Sequence, residues 1–172
     1  MLRLLGGICI MAATVGAFGE VRTAMHRRTV ELWAWVGAVR LLQSEMNFGL
    51  TPLPRLCRLI SRQVGGVVGD FWAFMADELP QRTDAYLPLL WAEDMARCRR
   101  YWHLQAEDLA VLDELGVGLG GSGLHNQQRL LALTEERLTR LANDASAEYA
   151  RLSRLLTGLG WCCGLILICL WV

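Results

Sequence analysis

Lysine is absent from this chain of 172 residues, and all seventeen of its basic side chains are arginine. GC-rich coding explains an all-arginine set without selection for bidentate anion contacts. The glycines Gly116, Gly118, Gly120, Gly121 and Gly123 follow no strand pattern and precede no lysine, which removes the phosphate-loop reading of that cluster. The formal net charge is zero, so no bulk basic field draws nucleic acid. Histidine occurs three times, as the isolated His26, His103 and His125. A general base needs an acid or nucleophile within hydrogen-bond reach, and no spacing here promises one. Six cysteines include no CxxC pair and no histidine at ligand spacing. Cys98 and His103 are off a shared helix face, and two ligands do not make a zinc site. Cys9, Cys162, Cys163 and Cys169 lie in apolar stretches, where a thiol packs as a small apolar group. Asp77 with Glu78 and Glu135 with Glu136 read as solvated helix faces. Neither a disulfide framework, a metal, a cofactor nor a catalytic set is expected.

Long uncharged runs stand at both ends. Residues 4–19 and 155–172 carry no charged side chain. At 1.5 Å per residue, 1–19 and 155–172 each reach about 27–28 Å, enough for a hydrocarbon core. The expected organisation is a transmembrane helix over 1–19, a helical domain over 20–154 and a transmembrane helix over 155–172. Arg22, Arg27 and Arg28 follow the first stretch, and Arg151 and Arg154 precede the second. Positive charge at membrane ends favours the cytoplasm, which puts the domain inside and both ends of the chain outside. A rival reading makes the first stretch a cleaved signal peptide, with Ala17, Phe18 and Gly19 as its small-x-small site. It would carry the arginine cluster across the membrane and leave an exported helical domain with one C-terminal anchor. Gly160 and Gly164, like Ala12 and Gly16, are small residues four apart, a spacing that lets membrane helices approach, although glycine is common in such helices anyway. Trp161 and Trp171 bracket the second stretch as interfacial anchors do. A pore or transporter accessory subunit is a further rival, and it lacks the intramembrane ionisable residues that mark ion pathways.

Between the two stretches the pattern is helical throughout, and the class is all-α. Leu32, Trp33, Val36, Val39, Leu42 and Met46 recur at threes and fours, predicting one helix to about Phe48, stopped by Gly49. Thr51 is the expected cap of the next helix and Pro52 its first residue, with Leu53, Leu56, Leu59 and Ile60 buried. Gly65 and Gly66 break it. A third helix is predicted over 67–79, ended by Pro80. A fourth opens at Thr83 or Asp84 and runs to about Trp102, with Pro88 in its early turns. A fifth covers 107–116. The glycine cluster then reads as a hinge with Ser122 as N-cap. From Asn126 a long helix carries Leu131, Leu138, Ala142, Ala145, Tyr149, Leu152 and Leu156 on one face. Run on to Val172, it would measure about 70 Å. Glu45, on an apolar helix, has two open readings: a structural partner such as backbone, Arg40 or Arg58, or contact with another protein. Arg97, Arg99 and Arg100 form the densest arginine cluster clear of the membrane, a candidate partner-binding set because the guanidinium fork suits carboxylates.

One run carries more specific information. Leu41, Leu42, Glu45 and Met46 lead through Phe48 and Gly49 into Thr51, Pro52, Leu53 and Pro54. This resembles the hallmark of the stage III sporulation protein AB family, in which a Leu-Leu-x-x-Glu-Ile helix end precedes an aromatic and Thr-Pro-Leu-Pro. Leu115, Gly116, Leu119, Gly120, Gly121 and Ser122, with Gln127 following, match a second motif. Length, motif order and the two apolar stretches agree over nearly the whole chain. The family usually has Ser-Asp at the hinge, where this chain has Ser122 and Gly123, so any role of that acid is in doubt here. The resemblance implies a helical cytoplasmic domain similar to the F-type platform protein of type II secretion and type IV pilus machines. It implies service in the complex linking mother cell and forespore, in the outer forespore membrane facing the mother cell. The implied partners are an AA-type secretion ATPase and other stage III sporulation membrane proteins, with a homo-oligomer left open.

The arginine flanks make topology testable. Alkaline phosphatase fused after Val172 is expected to be active, and the same reporter inserted near Gln81 inactive. The reverse pattern would support the exported domain.

Overall fold

Helix formation follows the apolar periodicity, and the described residues form six α-helices and one 3₁₀ turn. These are α1 (Leu2–Phe48), α2 (Leu53–Val64), α3 (Gly66–Glu78), α4 (Leu87–Cys98), the turn Arg99–Tyr101, α5 (Ala106–Leu119) and α6 (Leu124–Cys169). The computed structural model describes the backbone of residues 2–48, 51–81, 87–119 and 124–169, and the side chains of 20, 22–46, 51–81, 87–119 and 126–153. Among these there is no strand, as an all-α class requires. The stretches expected to span a membrane lie outside the described side chains. Among the described residues no helix is long and apolar enough to cross a bilayer.

The chain divides into two compact units, Val30–Asn143 and Met1–Thr29 with Asp144–Val172. In the latter, the His26 and Tyr149 rings lie 5.4 Å apart and Arg28 approaches Glu148 at 3.8 Å. These contacts join α1 to α6.

The core of Val30–Asn143 is built around aromatic rings. Trp35 of α1 has its ring 5.2 Å from Phe71, 5.8 Å from Trp72, 6.1 Å from Trp91 and 5.6 Å from Trp102. Tilted and edge-to-face pairs of this kind add about 0.5–1.5 kcal/mol each beyond the area they bury. Trp33, expected on the buried face, is 40% exposed while Trp35 is fully buried. The two are about 200° apart around the helix, so only one can face inward. Trp35 shares its face with Leu32, Val39 and Leu42. The Trp35 and Trp72 ring N–H groups have no hydrogen-bond acceptor among the described residues. Neighbouring π faces offer a weaker substitute.

Two short helices meet at a glycine corner. Gly65 and Gly66 have φ of 63° and 58°, a left-handed conformation that side chains resist, and a single residue therefore suffices to turn α2 into α3. The α2 start differs from expectation. Pro52 is the N-cap and makes no side-chain cap, while its carbonyl accepts the Arg55 and Leu56 N–H groups at 2.9 and 3.0 Å. The Thr51 hydroxyl is turned away to the Glu45 carboxylate. Leu53 is 37% exposed and Leu59 half-buried; the inward stripe is Leu56, Cys57 and Ile60. Cys57 completes the i, i+1, i+4 face that Leu53 and Leu59 only flank.

The α4 helix gives way to the 3₁₀ turn at Arg99, and Trp102 is already extended at φ −92°, ψ 150°. The fifth helix is longer than its glycines suggested, since Gly116 and Gly118 lie inside α5. The hinge residues Gly120, Gly121, Ser122 and Gly123 lie outside the described residues. Packing explains Gly116. A methyl group there would sit 2.1 Å from Cδ1 of Trp91, whose Nε1–H donates to the Leu112 carbonyl at 3.1 Å. The indole lies on bare α5 backbone.

Gly116→Ala sets two effects against each other. Alanine favours a helix by about 1 kcal/mol. Overpacking a ring that is anchored on Leu112 and walled by other rings costs more, and a net loss of about 1–3 kcal/mol is expected. Chemical unfolding followed by circular dichroism measures it; a gain in stability would show that Trp91 does not rest on Gly116.

Candidate partner-binding surface

The arginine cluster is split by the geometry of the α4 end. Arg97, still on α4, points back to α3. Its Nη1 lies 2.7 Å from Glu78 Oε1 and 3.2 Å from Asp94 Oδ1, and its guanidinium sits 5.6 Å from the Phe74 ring centre. The hydrogen bond and charge of Glu78, then the charge of Asp94, push the Arg97 pKa above its ordinary value. Asp94 is fully buried. Arg97 therefore neutralises an interior carboxylate.

Arg100 stands in the 3₁₀ turn and lies over the Tyr101 ring at 4.8 Å. It lines a cleft of about 350 Å³ with Val67, Asp70, Phe74, Arg97, Cys98, Tyr101 and Trp102. Phe74 is 41% and Tyr101 59% exposed, an unusual pairing of open aromatic faces with a cation. Arg99 borders a different groove, between α4 and α5.

The segment after the turn is fastened at three places. Trp102 Nε1–H donates to the Val67 carbonyl at 3.4 Å, the His103 N–H to Glu31 Oε2 at 2.7 Å, and the Gln105 N–H to Asp108 Oδ2 at 2.8 Å. The last is half of a capping box, in which the third residue of α5 reaches back to its N-cap. His103 Nδ1 also lies 2.9 Å from Glu31 Oε1. Glu31 is buried, so one interior carboxylate holds both the backbone and the ring of His103. No helical or strand spacing signals this pair, since 72 positions separate its members. A buried-face acid at Glu31, one position before Leu32, was the available hint.

The two sequence motifs meet at one place. Thr51 donates to Glu45 Oε2 at 2.7 Å, closing the turn after α1. Gln127 Nε2 donates to the Leu119 carbonyl at 2.8 Å, satisfying one of the free carbonyls at the end of α5. Thr51, Leu53, Leu56, Trp72, Leu119 and Gln127 border a common apolar pocket of about 170 Å³. Glu45 thus has a structural partner, and it is neither of the arginines considered: Arg40 pairs with Glu135 at 2.6 Å and Arg58 with Asp77. Pro52 and Pro54 start α2, and Gly116 seats Trp91. Gly49, Gly120 and Ser122 lie outside the described residues.

A model of the family described as stage III sporulation protein AB matches residues 3–171. The chain belongs to the stage III sporulation protein AB family. A stage III sporulation protein AB of Bacillus subtilis (strain 168) is 26% identical over 170 residues, covering 99% of both chains. A solved structure of a stage III sporulation protein AB (SpoIIIAB) shares the fold with a TM-score of 0.67 at 22% identity, covering 72% of this chain and 97% of that one. Family membership carries a role in sporulation and agrees with the resemblance drawn from the motifs.

In this family member the described cysteines are buried thiols. Burial pushes Cys57 up to about 12. Cys98 is raised as well, first by burial and then by Asp94, with Arg97 opposing. At neutral pH both are protonated and poor nucleophiles. No group of three or more His, Cys, Asp or Glu side chains among the described residues is placed to hold a metal ion.

The Glu31 clamp is testable by truncation. Glu31→Ala removes a charged acceptor from two His103 groups, and a loss of about 1.5–3 kcal/mol is expected in equilibrium unfolding. An unchanged midpoint would mean that water replaces the carboxylate at no cost.

Proposed function

We propose that the chain is a non-enzymatic membrane platform subunit of a sporulation secretion-like complex, linking mother cell and forespore and coupled to an AA-type ATPase. Family membership supports the sporulation role. The resemblance to F-type platform proteins supports the rest. In this reading 1–19 and 155–172 are membrane helices in the outer forespore membrane, and 20–154 is a domain on the mother-cell side. The uncharged runs at both ends and the arginines flanking them support that topology. Other stage III sporulation membrane proteins are the proposed neighbours within the bilayer.

The observation that carries the motor contact is the cleft around Arg100. It combines a cation, two exposed rings and a rim fastened to α1, α3 and α5, which is a preorganised surface for a carboxylate-bearing segment. A domain that transmits force must present such a surface on a rigid element. Arg97 lines the same cleft with its charge already committed to Glu78 and Asp94.

Binding of the full chain in detergent micelles to the AA-type ATPase tests this. Arg100→Glu is expected to weaken binding about tenfold or more, with unchanged melting. Arg97→Glu should lower the melting temperature as well, because it sets a third negative charge beside Glu78 and the buried Asp94. If the unmodified chain fails to bind at high micromolar concentration, or Arg100→Glu binds equally well, the motor contact is wrong.

A further inference from the structure

Arg99 borders a surface that shares no lining residue with the Arg100 cleft. Its groove, of about 250 Å³, lies between α4 and α5 and is bordered by Pro88, Ala92, Ala96, Asp113 and Val117. Val117 is 66% exposed, and Leu89, one turn before Ala92, is 58% exposed. They are among the most exposed large apolar side chains described. Arg99 and Asp113 are both exposed, and neither makes a side-chain hydrogen bond or ion pair among the described residues. Elsewhere on this unit Arg40, Arg58, Arg97 and Arg137 each meet an acid. The groove is thus an apolar trough edged by one cation and one anion that stay unused among the described residues.

That charge pattern selects the occupant. A partner of one charge sign would gain at Arg99 and lose at Asp113, or the reverse. A two-fold interface brings residue i of one copy to residue j of the other and j to i, so a surface holding one charge of each sign is complementary to itself. We propose that a second copy of this chain fills the groove, with Arg99 of each copy meeting Asp113 of the other. Ala92 and Ala96 are short enough to let two helices cross near the lower limit of interaxial distance, about 8 Å. Such a crossing covers Leu89 and Val117, which otherwise stay in water. The Arg100 cleft contributes nothing to this interface, so the dimer stands or falls independently of the motor contact.

Charge exchange provides the test. The full chain in detergent micelles is analysed by sedimentation over a range of concentrations. The unmodified chain is expected to dimerise. Arg99→Asp sets like charges opposite each other twice per dimer, as does Asp113→Arg, and each should weaken self-association about tenfold or more. The double exchange restores both pairs with reversed polarity, and its dimer constant should return to within about threefold of the original, because the like-charge contacts are gone. Both side chains are exposed, so melting temperatures measured at concentrations where every variant is monomeric should be unchanged. A chain that stays monomeric to high micromolar concentration would overturn the proposal. So would dimers indifferent to the single changes, which would place the interface elsewhere, or a double variant as weak as the singles.

Discussion

The Trp91 indole resting on the bare backbone of Gly116 sets the spacing from which the rest of the bundle follows. Any side chain at that position would overlap the ring. The ring is held in orientation by its N–H bond to Leu112, and it brings α4 within contact distance of α5. Its other faces meet Phe71 at 4.9 Å, Trp72 at 5.6 Å and Trp35 at 6.1 Å, which ties α3 and α1 to the same point. Rings are large and rigid, so displacing one displaces all of them. A small helical body gains its order from this cluster more than from the propensity of its short helices, two of which have only 12 residues.

The arginines divide into those the fold uses and those it leaves. Arg40, Arg58, Arg97 and Arg137 each link two helices through an acid. Exposed pairs like these contribute little stability, and their effect is mainly to select one arrangement of helices over another. Arg97 differs because one of its acids is fully buried. What remains on the α4 end is Arg100 over Tyr101 on one side and Arg99 beside Asp113 on the other. Three arginines within four positions thus stand in different surroundings, because a helix turns through 100° at each residue and the 3₁₀ turn tightens it further.

The sporulation motifs have a structural reading in this fold. The Thr51–Glu45 bond closes the turn after α1, and the Gln127–Leu119 bond finishes α5. Both border the apolar pocket beneath Trp72. Motif residues far apart in sequence therefore build one end of the bundle, and the Phe74–Arg100 cleft lies among residues that belong to neither motif.

The amino-acid sequence by itself determined the all-helical class, the order of the helices, the glycine corner at Gly65 and Gly66, and the family. Each depends on local rules: apolar spacing, backbone freedom, or a contiguous run of residues. The face of α6 carrying Leu131, Leu138, Ala142 and Ala145 was legible for the same reason. Only tertiary structure decided between Trp33 and Trp35, between Leu53 and Cys57, and between a hinge and a helix at Gly116. Those outcomes depend on what stands opposite, and periodicity carries no information about the opposing surface. The Glu31–His103 clamp and the separation of Arg99 from the cleft of Arg97 and Arg100 belong to the same class. They arise where segments distant in sequence meet, and only the packed aromatic core determines which segments those are.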